Sequence, residues 1–415
     1  MASRRPRGVH KIEGMATAAT SLPSARRLPH VADLIIVLAC AIPLTMTTLF
    51  LAVMPMVRHL AGARDYVVYW STGYQLLHHG NPYDPAAMGN LERQAGYNGK
   101  RGSYYMRNPP WALPLALPLG FLGPRVGALP WSLLMLTILA ACVRILWKMF
   151  GRPGTHLEWL GLCFPPALQC VIWGQTSLFL LLGLVLFLWL YRTRPFLAGA
   201  ALWFCTLKPH LFLPFGLVLL VWIVVRRQYR ILLGAAAAIA VSSAVTLAID
   251  PAAFAQYAHW AKTSGISAEF IPCLSVELRQ LINPAAKWLV FVPGMLGGLW
   301  AMAYFWPRRL AWDWLEHGNL VMLVSILVAP YCWLYDQSLA LPALMYVAWR
   351  SSSRAGLAAL GAIYIAVEVQ PFWATVGLES KWFLWPAVAW LVWYGWVKAS
   401  AGQTEAPAVP VAAFS

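Results

Sequence analysis

The chain has 415 residues, 60% of them hydrophobic and only 11% charged, which excludes an ordinary soluble globular protein. Its 23 Trp suit a protein that crosses a membrane many times, with aromatic belts at both surfaces. A net charge of +16 would suit a nucleic-acid partner, but the basic residues sit in short clusters between apolar runs, the signature of cytoplasmic loops.

The segment 1–33 is basic and reads as a cytoplasmic N-terminal stretch. The apolar run that follows, 34–57, is too long for a signal-peptide core and reads as a retained first helix. A long loop, 58–110, comes next and reads as extracytoplasmic. Further apolar runs follow at 128–147, 157–173, 176–191, 195–207, 210–225, 231–249, 285–306, 319–334, 337–349, 355–370 and 383–397. Together they predict an all-α polytopic membrane protein with about twelve crossings. Trp111 to Leu122 is apolar but broken by Pro, and fits a re-entrant or interfacial segment. One integral membrane domain then covers 34–400, and the Ala/Pro-rich tail 401–415 reads as a disordered cytoplasmic end.

Charge supports this order. Lys148 and Arg152, Arg192 and Arg194, Arg226, Arg227 and Arg230, Arg308 and Arg309, and Arg350 and Arg354 fall in alternate connections. With the N-terminus inside, Asp65, Asp84, Gln175, Lys208, Asp250, the 251–284 loop, Asp336 and Glu379 fall on the outer face. Asp33, Glu158, Asp313 and Glu316 fall inside. The 7 Cys form no CxxC pair and mostly lie in apolar runs, so they read as small buried hydrophobes.

Within the first loop, ARDYVVYWSTGYQLLHHGNPYDP (63–85) predicts a short amphipathic helix from Asp65 to His79. Asp65, Tyr69 and Gly73 share a face at helical spacing. Val67, Trp70, Tyr74 and Leu77 offer an apolar face suited to a membrane interface. Gly80 and Asn81-Pro82 stop the helix. Asp65 fits either a cap, since Asp is favoured at helix starts, or a reactive carboxylate at the membrane edge.

Other polar groups occupy costly places. Gly174-Gln175-Thr176-Ser177 interrupts two apolar runs as a tight hairpin, and Gln175 brings an amide able to bind a sugar hydroxyl. Lys208, in FCTLKPHLFL, fits a snorkelling lysine or an anion site for phosphate, with His210 as an assistant. In APYCWLYDQSLALP, Asp336 stands beside Tyr335 as a functional carboxylate or the partner of a nearby cation. Arg107 and Asn108, before Pro109-Pro110, either fix the loop or hold a phosphate through Arg107. The sequence has no P-loop, GxGxxG, HExxH or DxD motif. That inventory points to an extracytoplasmic site without a nucleotide, a metal or another cofactor.

Asp plus aromatics with a GNPYDP turn, then NPPW, GQTS, FLAGAALWFCTLKPHLFL and APYCW, occur here in one order. In that order the chain resembles glycosyltransferase family 87, the polyprenyl-phosphate-mannose-dependent mannosyltransferases of the GT-C superfamily. The similarity spans roughly Asp65 to Pro342. It implies a GT-C-like bundle whose long first loop carries interfacial helices. It also implies a polyprenyl-phosphate sugar donor, a lipid or glycan acceptor and inverting hexose transfer, most simply of mannose, on the extracytoplasmic face of the plasma (inner) membrane. The first-loop aspartate would be the catalytic base, which falls on Asp65. Tyr69, Arg107, Gln175, Lys208, His210, Tyr335 and Asp336 would bind substrate. Where the family usually carries His in a W-x-H stretch, this chain has Tyr335. A transporter or flippase of lipid-linked sugars is the main alternative, since broken helices and intramembrane polar groups also serve transport. Clustering of the polar groups at one face favours the enzyme.

Overall fold

A computed structural model of the chain describes residues 30–54, 56, 64–97, 105–150, 156–264, 271–351, 353–374 and 384–401. Glu379, Arg152, most of the basic N-terminal segment and nearly all of the tail lie outside the described residues. Among those described, every regular element is helical. The first are α1 (His30–Val53), α2 (Tyr66–Leu77) and α3 (Pro85–Gln94). A 3-10 turn (Pro110–Leu115) leads to the short α4 (Leu117–Gly120). Then come α5 (Ala128–Met149), α6 (Glu158–Leu162), α7 (Pro165–Trp173), α8 (Ser177–Leu190) and α9 (Pro195–Ala201). They are followed by α10 (Leu213–Val225), α11 (Tyr229–Ile249), α12 (Ala253–Thr263), α13 (Leu274–Ile282) and α14 (Val292–Phe305). The last are α15 (Asn319–Leu327), α16 (Leu341–Arg350), α17 (Arg354–Ala374) and α18 (Trp385–Ala401).

Among the described residues, four helical stretches are long and apolar enough to cross a membrane: Val31–Val53, Ala128–Met149, Tyr229–Ile249 and Lys287–Arg308. A fifth arises if the bent pair Pro195–Leu207 and Pro209–Val225 counts as one span. Their outer faces carry large exposed side chains, among them Val31, Val37, Leu233, Val241, Met295 and Leu299, as a lipid-facing surface requires. The chain is a membrane protein. Several other expected spans are shorter or broken. The run 157–173 divides into α6 and α7 at Pro165-Pro166, because proline lacks the donor that a continuous helix needs. The run 319–334 is α-helical only as far as Leu327.

The central element is α8. Its side chains are apolar on all sides, and most are buried, so it belongs in a core and not at a surface. It packs on α5 and α9 and against the 3-10 segment Leu334–Ala340. At about 1.5 Å per residue, its 14 residues hold its two ends about 20 Å apart. One end begins at Ser177. Beyond the other, Arg192 pairs with Asp313, while nearby Lys398 pairs with Glu316 at 2.7 Å and Arg226 bonds the Leu310 carbonyl. Arg192, Arg226 and Lys398 therefore gather around the stretch that carries Asp313 and Glu316.

The expected interfacial helix is a different object. α2 forms over nearly the predicted residues but ends at Leu77, short of His79 and Gly80. Tyr66 to Gly73 are all buried, including Val67 and Trp70 of the face expected to meet lipid. Protein covers that face: the Trp70 indole donates to the Leu122 carbonyl at 2.8 Å, and α2 lies against α4. At their crossing a Cβ on Gly73 would stand 2.2 Å from the Ala116 carbonyl oxygen, and one on Gly120 would stand 2.3 Å from the Gly73 backbone. The two backbones approach too closely for any side chain. Gly73→Val should therefore lower stability by about 1–3 kcal/mol. Thermal unfolding in detergent checks this, and an unchanged melting temperature would refute the close crossing.

Candidate active site

The site forms where four interruptions in the helical pattern meet. The first is the entry to α2. Asp65 occupies its N-cap position yet makes no side-chain cap hydrogen bond. Its carboxylate instead accepts from the Gln175 amide at 2.8 Å, and the Tyr335 hydroxyl favours its ionised form. The cap reading of Asp65 thus lacks its defining contact. Tyr69, one turn on, donates to Gln175 Oε1 at 2.9 Å and lies 3.2 Å from the Thr176 hydroxyl. The shared face of Asp65 and Tyr69 is turned toward Gln175.

The second interruption is the turn between α7 and α8. Gly174 ends α7 with φ +70, the left-handed conformation that glycine adopts without penalty. A Cβ there would also meet Tyr66 Cβ at 2.6 Å. Arg64 clamps this turn from outside. Its guanidinium donates to the Val171 carbonyl at 2.6 Å, to the Ile172 carbonyl and to the Ser132 hydroxyl at 3.0 Å. Those carbonyls belong to the last turn of α7, where a cation is favoured. Trp131 supports the same turn, donating to the Gly174 carbonyl at 2.8 Å and stacking on Tyr69.

The third is the break at Lys208. Pro209 disfavours helical geometry at the residue before it. Lys208 takes φ −137 and ψ 70, and the helical stretches on either side bend by 119°. The fourth is the non-helical stretch before the 3-10 segment Leu334–Ala340, which brings in Asp336. Lys208 Nζ lies 2.7 Å from Asp336 Oδ1, 3.2 Å from the Ser177 hydroxyl and 3.3 Å from Gln175 Oε1. Its charge also sits over the Tyr335 ring at 5.1 Å.

Asp336 is therefore the counter-ion of Lys208. It is 0% exposed, with Oδ1 accepting from Lys208 and from Ser177 at 2.6 Å, and Oδ2 accepting from the Trp333 N–H at 3.0 Å. A carboxylate so engaged has little capacity left for a substrate proton. Asp65 differs. Burial raises its pKa above the ordinary aspartate value, against the Gln175 hydrogen bond, the Lys208 charge, the Tyr335 hydroxyl and the Arg107 charge. Arg107 is half-buried, reaches the Tyr331 hydroxyl at 3.4 Å and lies over the Tyr105 ring. His210 does not join the hydrogen-bonded cluster. Its ring stands edge-on to Tyr331, and its buried Nε2 has no partner among the described residues.

The structure thus joins Asp65, Tyr69, Gln175, Lys208, Tyr335 and Asp336 in one network, with Arg107 and His210 on its Tyr331 side. Sequence reasoning did not single out Ser177, Tyr331, Trp333 or Arg64. The first three lie in stretches already marked by their polarity. Arg64 had one signal, a second charge beside Asp65 between apolar segments. Among the described residues no group of three or more His, Cys, Asp or Glu is placed to hold a metal. All seven cysteines are free thiols, and all but Cys40 are buried.

Compared with known proteins, residues 105–330 match the family model of glycosyltransferase family 87, more than half of the chain. The chain belongs to glycosyltransferase family 87. It is accordingly a membrane glycosyltransferase, acting on a sugar donor and an acceptor, and the transporter alternative gives way. Arg107, Gln175, Lys208 and His210 lie inside the matched stretch; Asp65, Tyr335 and Asp336 lie outside it. No curated protein and no solved structure matches the chain.

The buried pair yields a stability test. Asp336→Asn leaves the Lys208 ammonium without its carboxylate and should cost about 3–5 kcal/mol in thermal unfolding. The double variant Lys208→Met/Asp336→Leu should recover much of that loss, because no charge is then stranded. A double-variant loss equal to the sum of the losses of Lys208→Met and Asp336→Leu alone would show that the pair contributes no coupling.

Proposed function

We propose that this family 87 enzyme moves a hexose, with mannose the first choice, from a polyprenyl-phosphate donor to a lipid or glycan acceptor. The transfer takes place on the extracytoplasmic face of the plasma (inner) membrane, in a GT-C-like bundle of about twelve passes with both termini inside. Asp65 is the general base. The observation that carries this reading is the Asp65 carboxylate, which turns away from its own helix and into a buried polar cluster. An acceptor hydroxyl needs such a base. Gln175 orients the carboxylate through a hydrogen bond, and the Tyr335 hydroxyl favours its ionised form.

The departing group is a phosphate, so it needs charge stabilisation more than a proton. Arg107 is the more accessible of the two cations near Tyr331 and supplies most of that charge. Lys208 contributes a field already balanced by Asp336. With one base and direct displacement, the anomeric centre inverts. A donor held in the bilayer needs no soluble nucleotide-binding domain, and the sequence shows none of the corresponding motifs.

Transfer of radiolabelled sugar by purified protein, comparing polyprenyl-phosphate mannose with polyprenyl-phosphate glucose, tests the donor. Asp65→Asn should lower single-turnover transfer by about a hundredfold or more. Donor binding should change little. A wild-type rate from folded Asp65→Asn protein would remove Asp65 as the base.

Tyr335 adds a pH test. The acid limb of the rate profile should lie above the ordinary aspartate range, because the base must be ionised and burial opposes ionisation. The Tyr335 hydroxyl favours the ionised form. Tyr335→Phe should therefore shift the acid limb to still higher pH, with little change in the plateau rate. A limb that stays in place would detach Tyr335 from the base.

A further inference from the structure

A second polar feature lies outside the charged cluster. Between the 81–85 turn and α12 is a cleft of about 370 Å³, near the lower end for small-molecule sites. Its aromatic wall is Tyr83, Tyr105 and Trp260. The Tyr83 and Trp260 ring centroids lie 6.2 Å apart, and those of Tyr105 and Trp260 lie 5.9 Å apart. Gln256 and Trp260, one turn apart on α12, both line the cleft. Each has a buried polar atom without a partner among the described residues, the acceptor Gln256 Oε1 and the donor Trp260 Nε1. Such orphaned groups are costly unless something fills them. An acceptor and a donor one helical turn apart suit a ligand that carries several hydroxyls.

We propose that this cleft is a saccharide subsite that holds a sugar unit of the acceptor. Among the described residues the lining contains no Lys or Arg, and Asp84 and Asn81 add further polar groups to its rim. Flat rings beside hydrogen-bonding groups fit a pyranose, whose C–H face packs on aromatics while its hydroxyls bond outward. The cleft is also joined to the reaction centre. Tyr83 donates to the Asn108 carbonyl at 3.0 Å, clamping the segment that carries both Tyr105, in the cleft wall, and Arg107, which reaches Tyr331. Tyr105 and Arg107 are only two positions apart, about 7 Å of extended chain. The inference rests on the glycosyl-transfer reading above and narrows the acceptor to a sugar-bearing one.

The test uses full-length protein in nanodiscs. Saturation-transfer NMR with mannotriose and cellotriose should detect contact with wild type. That contact should be lost in Gln256→Leu and in Trp260→Phe, which keeps a ring but removes the N–H. In transfer assays both variants should raise the KM for an oligosaccharide acceptor about tenfold, the effect of one lost hydrogen bond at the upper end of its range. Donor KM should stay unchanged. The proposal falls if wild type transfers sugar while both variants keep the acceptor KM within twofold. It falls likewise if donor KM rises instead, or if neither trisaccharide contacts an active wild type. If wild type uses neither polyprenyl-phosphate mannose nor polyprenyl-phosphate glucose but binds a trisaccharide that both variants lose, the donor assignment fails and the cleft stands.

Discussion

The site depends on one buried ion pair, Lys208 with Asp336. An ammonium among apolar helices is tolerated only with a partner, and here the partner lies 2.7 Å away. That contact decides more than the fate of two charges. Gln175 Oε1 accepts from Lys208 and from Tyr69, so the oxygen of this amide must face them. The amide nitrogen is thereby turned toward Asp65. A chain of polar contacts runs from Asp336 through Lys208 and Gln175 to Asp65, and each member fixes the donor or acceptor role of the next. Asp336 and Asp65 are both carboxylates in apolar surroundings. One is saturated by a cation, a hydroxyl and a backbone N–H. The other accepts a neutral amide hydrogen bond and, among the described residues, has no ion pair at contact distance. The difference in their chemistry follows from that difference in partners.

The helical scaffold supports this by failing to be regular in the right places. Proline at 209 and glycine at 174 end or bend helices that would otherwise run on. Each break frees backbone and exposes a polar side chain where several helix ends converge. Irregular backbone at membrane depth is tolerated only where protein or a cavity satisfies it. The Arg64 guanidinium on the last carbonyls of α7 and the Trp333 N–H on Asp336 are such satisfying contacts.

Much of this was legible in the sequence. Asp65, Gln175, Lys208 and Asp336 stood out because polar groups between apolar runs are expensive, and the structure joins those four. The pairing of Lys208 with Asp336 was one of two open readings, since sequence does not say which of several distant charges will meet. The burial of α2 could not be read, because an amphipathic helix has the same pattern whether its apolar face meets lipid or α4. Hydropathy also overstated helix length at 157–173 and 319–334: it counts apolar residues, while proline and tertiary packing decide where hydrogen bonding continues. The aromatic cleft escaped notice because Tyr83 and Trp260 are far apart in the chain and each is unremarkable alone.

Arg64 and Asp65 are consecutive residues that hold opposite sides of one turn, Arg64 through the carbonyls of Val171 and Ile172 and Asp65 through the amide of Gln175. This makes the single peptide bond between them a register mark. A residue inserted there would add roughly 100° of rotation if the turn remained helical, carrying the carboxylate off the Gln175 side while Arg64 stayed anchored. Changes in chain length should thus be far better tolerated in the connection preceding Arg64 than within the stretch from Arg64 to Tyr69. The spacing of this pair is a sharper fingerprint of an intact centre than either residue by itself.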